Sequence, residues 1–404
     1  MNTNEDYIIG NRPTRLDHKD STQVERPHPM NEPNADGQSQ DQKPLSPSQL
    51  AEKFSGTMPV SERYQTNLLT LEQWMETNVE GFQGPLAIEQ FKGGQSNPTF
   101  ALSTPKAQYV MRSKPGPVSK LLPSAHAVER EYRVLDALAA TPVPVPKVFG
   151  LCEDESVIGR AFYIMDRVDG RVLWDQGLAG MTKQQRRDIY LAMNQTIAQL
   201  HQVKPDTVGL SDFGKPGNYF ARQISRWTKQ YLISETEPIE SMHRLIEWLP
   251  AHIPDSEQSC IVHGDFRLDN MIFDHDRPQV RAVLDWELST LGHPLADFSY
   301  HCMSWHIPPG TFRGISGLDH LALGIPLESE YIKRYCEQTG MAMDEVLKHW
   351  TFCLAYNMFR LAGILQGIMK RVVDGTAASA EARESGARAR PMAEMGWALI
   401  QNMP

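Results

Sequence analysis

The sequence predicts an α+β protein of two unequal lobes: a small, β-rich lobe over residues 61–168 and a larger, mainly helical lobe over 169–404. Strand-like runs with glycine or turn residues between them crowd the first region. Beyond Gly170 amphipathic helical segments dominate, broken by only two short strands. Ahead of both, residues 1–60 are rich in Asn, Asp, Gln, Pro and Ser and poor in large apolar side chains, which predicts a mostly disordered tail without a catalytic role.

The elements follow in order. Leu68, Leu71 and Met75 recur at helical spacing within 64–78. Leu86-Ala-Ile88, then Gln90 to Phe100 around Gly93-Gly94, then Ala107 to Arg112 read as strand, glycine turn, strand and a further strand. Ser124 to Ala140 predicts a helix with Ser124 as N-cap and Val128, Tyr132, Leu135 and Leu138 as its apolar stripe. Three prolines in Thr141-Pro-Val-Pro-Val-Pro146 must end it, because proline removes a donor and clashes with the preceding turn. Ala161 to Met165 is a strand closed by Asp166-Arg-Val-Asp-Gly170. Thr182 to Val203 is a long helix with Ile189, Met193, Ile197 and Leu200 on one face. Strands at 259–262 and 280–284 flank a polar loop, and 330–373 and 377–400 read as the last helices.

Composition excludes several functions. The 41% hydrophobic and 22% charged residues give an ordinary core. A balance of 40 Lys+Arg against 49 Asp+Glu argues against a nucleic-acid binder. The apolar run Leu361–Ile368 is interrupted by Gly363, Gln366 and Gly367, far short of the ~20 residues a bilayer span needs, so no membrane role is expected. Five cysteines without a CxxC pair predict buried free thiols in a reducing cytoplasm. The N-terminus lacks a cationic start followed by an apolar core, and acidic residues from Glu5 to Asp20 speak against a transit peptide.

The informative stretch is His263-Gly-Asp-Phe-Arg-Leu-Asp-Asn270, followed by Met271-Ile-Phe273, a turn at 274–278 and Val280 to Asp285-Trp-Glu287. A loop, a strand, a tight turn and a strand bring Asn270 and Asp285 together at the base of a hairpin, with Asp265 on the same loop. Phosphoryl transfer is mostly alignment and charge neutralisation. It needs a carboxylate to accept the attacking hydroxyl's proton, a role for Asp265. It needs a second carboxylate to hold Mg²⁺, a role for Asp285, and a neutral amide oxygen to complete the metal site, a role for Asn270.

The segment resembles the aminoglycoside phosphotransferase family, whose fold is protein-kinase-like and whose pattern is His-Gly-Asp-x-x-x-x-Asn followed by a metal-binding Asp. The resemblance is strongest to kinase-like domains that stand alone in bacteria or are fused ahead of acyl-CoA dehydrogenases. It rests also on Ser96-Asn-Pro-Thr99, Arg130-Glu-Tyr-Arg-Val134, Gly217-Asn-Tyr219 with Arg222-Gln223 and Arg226-Trp227, and Thr290-Leu-Gly-His-Pro-Leu-Ala-Asp297, and spans about 64–398. It implies ATP and Mg²⁺ as cofactors. The small lobe is then the nucleotide site, with Gly93, Gly94 and Ser96 beside the phosphates. The family's phosphate-gripping cation falls on Arg112, with Lys114 as rival on the same strand face. Its paired acid falls on Glu131 rather than Glu129. Met165, Asp166 and Val168 link the lobes and offer backbone groups to adenine. His263 and Asp297 correspond to loop-bracing residues. His293, His301 and His306 share no helical face and make no metal site.

The acceptor is read from charge. Between Arg360 and Arg390 stand Arg360, Lys370, Arg371, Arg383, Arg388 and Arg390 against Asp374, Glu381 and Glu384, and Arg222, Arg226 and Lys229 form a basic stripe beside Trp227. Two basic regions favour an anionic acceptor, and the resemblance implies a hydroxyacyl-CoA or hydroxy acid. The alternatives are an aminoglycoside or amino-alcohol acceptor, or a nucleotide-binding pseudokinase. A flavin dehydrogenase is disfavoured because no second large domain appears.

Overall fold

The computed structural model describes residues 55–92, 97–116, 127–256, 258–377 and 381–403. The expected tail up to residue 54 and the expected N-cap Ser124 lie outside these residues. The N-terminal lobe is a six-stranded antiparallel sheet. Its strands are β1 (Thr57–Met58), β2 (Ala87–Phe91), β3 (Thr99–Ser103), β4 (Gln108–Ser113), β5 (Val148–Cys152) and β6 (Phe162–Asp166), in the order β1-β2-β3-β4-β6-β5. Two helices cover it: α1 (Leu68–Asn78) and α2 (Val128–Leu138).

Side-chain alternation along the strands explains the two-sided cover. Met111 of β4, with Phe100, Phe162 and Ile164, packs against Leu71 and Met75 of α1. Val110 and the neighbouring Tyr163 and Met165 face the other way, into a core shared with Val128, Val134, Leu135 and Leu138 of α2. That second core runs on without interruption into the C-terminal lobe. Arg112 is two residues past Val110 and so belongs to the α2 face, where β4 pairs it with Tyr163 across the strands.

Beyond β7 (Arg171–Val172) come α3 (Lys183–Gln202), α4 (Tyr219–Ser234) and α5 (Glu240–Ala251). Thr182 starts α3 with a full capping box through Gln185. Short strands follow: β8 (Cys260–Val262), β9 (Met271–Phe273), β10 (Val280–Val283) and β11 (Thr290–Gly292). They pair as β10-β9-β7 and β11-β8, so the segment 263–270 leaves β8 and enters β9 as a held loop. Helix α6 (Pro294–Cys302) lies behind that loop and is wholly buried.

Two helical readings are corrected. The region 330–373 is not continuous: α7 (Glu328–Thr339) ends at Gly340, whose φ of +74° closes the helix, and α8 (Met343–Val373) begins three residues later. Likewise α9 (Ala382–Ala387) and α10 (Ala389–Gln401) meet at Arg388. The 31 residues of α8 are long and apolar enough to cross a membrane, more than the interrupted run at 361–368 suggests, but 78% of the most apolar window is buried inside the fold. This helix is the spine of the larger lobe. All five cysteines are free and buried.

Candidate active site

The N-terminal half of the site is built on β4 and α2. Arg112 places Nε 2.8 Å from the Glu131 carboxylate, which is 1% exposed. Asn97 Nδ2 (2.6 Å) and the Tyr163 hydroxyl (3.2 Å) also donate to Glu131. Burial pushes the Glu131 carboxyl above its ordinary value, against the pull of Arg112. Burial alone would depress Arg112, but Glu131 and Asp285 outweigh it, and the guanidinium is a fixed charge. Lys114 pairs instead with Glu129, in a half-exposed contact. The sheet face therefore sorts two cations and two acids into an inner pair, Arg112–Glu131, and an outer pair, Lys114–Glu129.

The C-terminal half is the loop 263–270 with Asp285. Asp297 of α6 accepts the backbone N–H of His263 (2.7 Å) and of Gly264 (2.8 Å), tying the loop's entry to the helix. Burial would raise the Asp297 carboxyl, but hydrogen bonds and the nearby His201 and His263 hold it below the usual range. His263 Nε2 donates to the Leu284 carbonyl (2.9 Å), and its Nδ1 accepts the Asp265 amide (3.2 Å). Gly264 has φ +83°, and a Cβ there would stand 2.7 Å from the Leu288 carbonyl. Asn270 Nδ2 donates to both the backbone oxygen (2.9 Å) and Oδ2 (3.0 Å) of Asp265. The Leu284 amide donates to the Asn270 carbonyl (2.8 Å), which brings Asp285 beside the same loop. Asp285 takes the left-handed conformation at φ +67°, unusual for a residue with a Cβ and a conformation that clusters at functional sites. Across the cleft, Arg112 Nη2 donates to Asp285 Oδ1 at 2.5 Å. Burial works to raise Asp285, yet Arg112 holds its carboxyl below the ordinary range.

Asp265, Asn270, Asp285, Arg112 and Glu131 thus come together in one cleft between the lobes. Two oxygens suit a hard cation that takes few protein ligands: Asn270 Oδ1, which takes a long contact from Arg267 Nη2 (3.5 Å) while Nδ2 is engaged by Asp265, and the Asp285 carboxylate. Gly93, Gly94 and Ser96 lie outside the described residues. Met165 and Asp166 end β6, where the Asp166 amide already donates to the Lys147 carbonyl (2.8 Å) and is closed to a ligand; Val168 lies beyond the strand, on the link between the lobes. His293, His301 and His306 are separately engaged by Ser256, Tyr331 and Glu328, and the described residues contain no cluster of three or more metal-type side chains.

Some cations of the two basic regions have local partners. Lys370 pairs with Asp374, Arg388 with Glu384 and Arg390 with Glu237, while Arg222 donates to the carbonyls of Lys215, Pro216 and Gly217. These four are engaged by local partners, and Arg226 lies over the Trp227 ring at 5.5 Å. Arg360 is different: it is buried, donates to the Gly264 carbonyl (2.8 Å), and lies over the rings of Trp227 and Tyr300.

Several site residues escape the sequence reading. Tyr300 donates to Asp265 Oδ1 (2.6 Å), and Arg267 Nη2 is 3.1 Å from Asp265 Oδ2. Arg313 grips the buried Asp269 with two arms (2.7 and 2.9 Å), fixing the segment after α6 to the loop. Arg267 and Asp269 stand inside the motif and were visible there. Tyr300 stands one turn beyond Asp297 on α6, at i+3, a spacing that places both on one face.

Known proteins resemble this chain in sequence and in fold. A family model described as the phosphotransferase enzyme family (APH) matches residues 87–338. Acyl-CoA dehydrogenase family member 10 of Mus musculus is 46% identical over 316 residues, which cover 78% of this chain and 29% of that relative. The chain therefore spans less than a third of that relative's length. A crystal structure from Ralstonia eutropha, provisionally named an aminoglycoside phosphotransferase, is 60% identical with a TM-score of 0.76, covering 83% of this chain and 99% of that one. An aminoglycoside phosphotransferase in ternary complex with ADP and hygromycin B shares the fold at 15% identity and a TM-score of 0.51, over 81% of this chain and 99% of that one.

Proposed function

We propose that this chain, which belongs to the APH phosphotransferase enzyme family, transfers the γ-phosphoryl group of ATP to the hydroxyl of a small molecule, and that this acceptor is a hydroxyacyl-CoA or hydroxy acid. One observation carries the reading: Asp265, Asn270 and Asp285 meet on one side of a cleft that Arg112 closes from the other. Bound Mg-ATP would supply the transferable phosphoryl group and a divalent countercharge. Asn270 Oδ1 and the Asp285 carboxylate are the oxygens that would hold the metal. Arg112, kept in place by Glu131, would supply a fixed positive charge to the phosphate oxygens. Asp265 would take the proton as the acceptor's O–H bond breaks and its oxygen bonds the γ-phosphorus, while the bond from that phosphorus to the bridging oxygen breaks and ADP leaves.

The acceptor reading draws on the wall beside Asp265. Three cations stand there against two acids: Arg267 is paired with Asp265, Arg313 with Asp269, and the buried Arg360 donates to the Gly264 carbonyl. The likeness to an acyl-CoA dehydrogenase family member supports a thioester acceptor. The same reading sets the enzyme in the cytoplasm, with its buried thiols reduced.

The test incubates the protein with ATP, Mg²⁺ and a panel of hydroxyacyl-CoAs and hydroxy acids beside aminoglycosides, following ADP release and product phosphorus NMR. Phosphorylated hydroxyacyl products are expected. Turnover of kanamycin-type compounds without any acyl or acid product overturns the acceptor. Asp265→Asn should lower turnover by about 10³-fold while nucleotide binding persists. An unchanged rate removes Asp265 from the role of base.

A further inference from the structure

We propose that Tyr300 is the positioning residue for the base: its hydroxyl fixes the Asp265 carboxylate so that a set oxygen meets the acceptor's hydroxyl. This rests on the phosphotransferase reading above and adds a residue that the motif does not contain.

The donors around Asp265 divide unevenly. Oδ2 receives Asn270 Nδ2 at 3.0 Å and faces Arg267 Nη2 at 3.1 Å. Oδ1 receives the Tyr300 hydroxyl at 2.6 Å, in the short range of a charge-assisted O–H···O⁻ bond. The phenol is the donor, because a carboxylate can only accept. Burial, and after it the Asp265 charge, push the Tyr300 phenol upward, so it keeps its proton. With both oxygens engaged, the carboxylate cannot rotate without breaking several bonds. The oxygen with one neutral donor, Oδ1, is left better able to accept a proton than the one shared by an amide and a guanidinium.

The scaffold behind Tyr300 is built for this. On α6, Asp297 and Tyr300 are three residues apart and share a face. Asp297 holds the backbone of His263 and Gly264, and Tyr300 holds the side chain of Asp265. One helix thus sets both the path of the loop and the direction of its acid. On α8, Asn357 and Arg360 repeat the spacing. Asn357 Nδ2 donates to the Ala296 carbonyl and Ser299 Oγ, each at 2.8 Å, which locks α6 in place. Arg360 lies over the Tyr300 ring at 5.2 Å and donates to the Gly264 carbonyl.

Tyr300→Phe tests this, because it removes one oxygen and leaves the ring on Arg360. The expected result is a fall in kcat of about tenfold with the KM for ATP unchanged. Combined with Asp265→Asn, it should lower the residual rate no further, since the basic carboxylate that it positions is already gone. An unchanged kcat, or an equal loss in the Asp265→Asn background, overturns the proposal and leaves the phosphotransferase reading standing. A crystal structure of Tyr300→Phe reads the same point without any acceptor: a turned Asp265 carboxylate is expected, and an unmoved one overturns the role. Absence of phosphoryl transfer by the unaltered protein to every hydroxylated acceptor would instead defeat the parent reading.

Discussion

Arg112 holds three carboxylates with one guanidinium. Nε meets Glu131, and Nη2 meets Asp285 at 2.5 Å and Glu287 at 3.6 Å, with the side chain 11% exposed. A planar fork can do this, whereas an ammonium is a point charge on a flexible stem. Arg112→Lys should therefore keep the fold but raise the KM for ATP by about tenfold, because one arm must be given up. Arg112→Met leaves Glu131 buried without its cation and should lower the unfolding free energy by about 3 kcal/mol. Denaturant titration reads this, and a loss below about 1 kcal/mol would mean the pair contributes little. Among single residues, the sequence disclosed those that share a segment. Asp265 and Asn270 are five apart on one loop, and a hairpin returns Asp285 to them. Arg112 and Glu131 were reached through resemblance, with Lys114 and Glu129 as rivals that only the ion pairs between strand and helix sort. Tyr300 and Arg360 arrive from helices 35 and 96 residues away from their loop partners, and no spacing rule links such positions.

The catalytic loop is an element held by its neighbours, and Gly264 is where that hold is tightest. Its φ of +83° disfavours any side chain, and a Cβ would meet the Leu288 oxygen at 2.7 Å and the Leu288 Cβ at 3.0 Å. The Leu288 backbone belongs to the segment after Asp285, so an added methyl pushes the loop and the Asp285 segment apart. Gly264→Ala should cost about 2 kcal/mol of stability and at least tenfold in kcat. A variant with full turnover would show that the loop can yield without moving Asp265. Regular elements were readable where periodicity was strong, as in α3 with its capping box and in the alternating faces of β4. The break between α7 and α8 was not read, because the apolar pattern continues across it. The decisive signal is one glycine at the end of α7, Gly340, whose positive φ no apolar periodicity reveals.

At the scale of the whole molecule, acid should loosen the support of the site before it melts the lobes. Helix α6 begins at His293, whose side chain accepts the Leu295 amide, and carries His301 near its end, bonded to the Tyr331 hydroxyl at 2.8 Å. Burial lowers His293 to about 4, helped by the nearby His201 and His349. Burial likewise lowers His301 to about 4, against the opposing pull of Asp297. The unfolded chain protonates both near 6.5. Between those values it binds protons that the folded chain refuses, so stability falls as pH drops from about 6.5 towards 4. Each histidine should account for about 2 kcal/mol between pH 7 and pH 5. The carboxylates act lower on the scale. Asp297 and Asp269 are depressed in the fold, so their contribution is complete above the unfolded value near 3.9 and is lost as pH falls through their folded values. Two stages follow: a gentle decline below pH 6.5 from the histidines and a steep one below pH 4 from the acids. His301→Gln keeps a polar partner for Tyr331 but cannot titrate, so its plot of unfolding free energy against pH should be flatter between 5 and 6.5 and unchanged below 4. Parallel plots for the variant and the parent protein would show that His301 protonation is not what the fold resists. Because α6 also carries Asp297 and Tyr300, phosphoryl transfer should decline over the same upper range, and the His301→Gln variant should retain more of its own neutral-pH rate at pH 5.5 than the parent does.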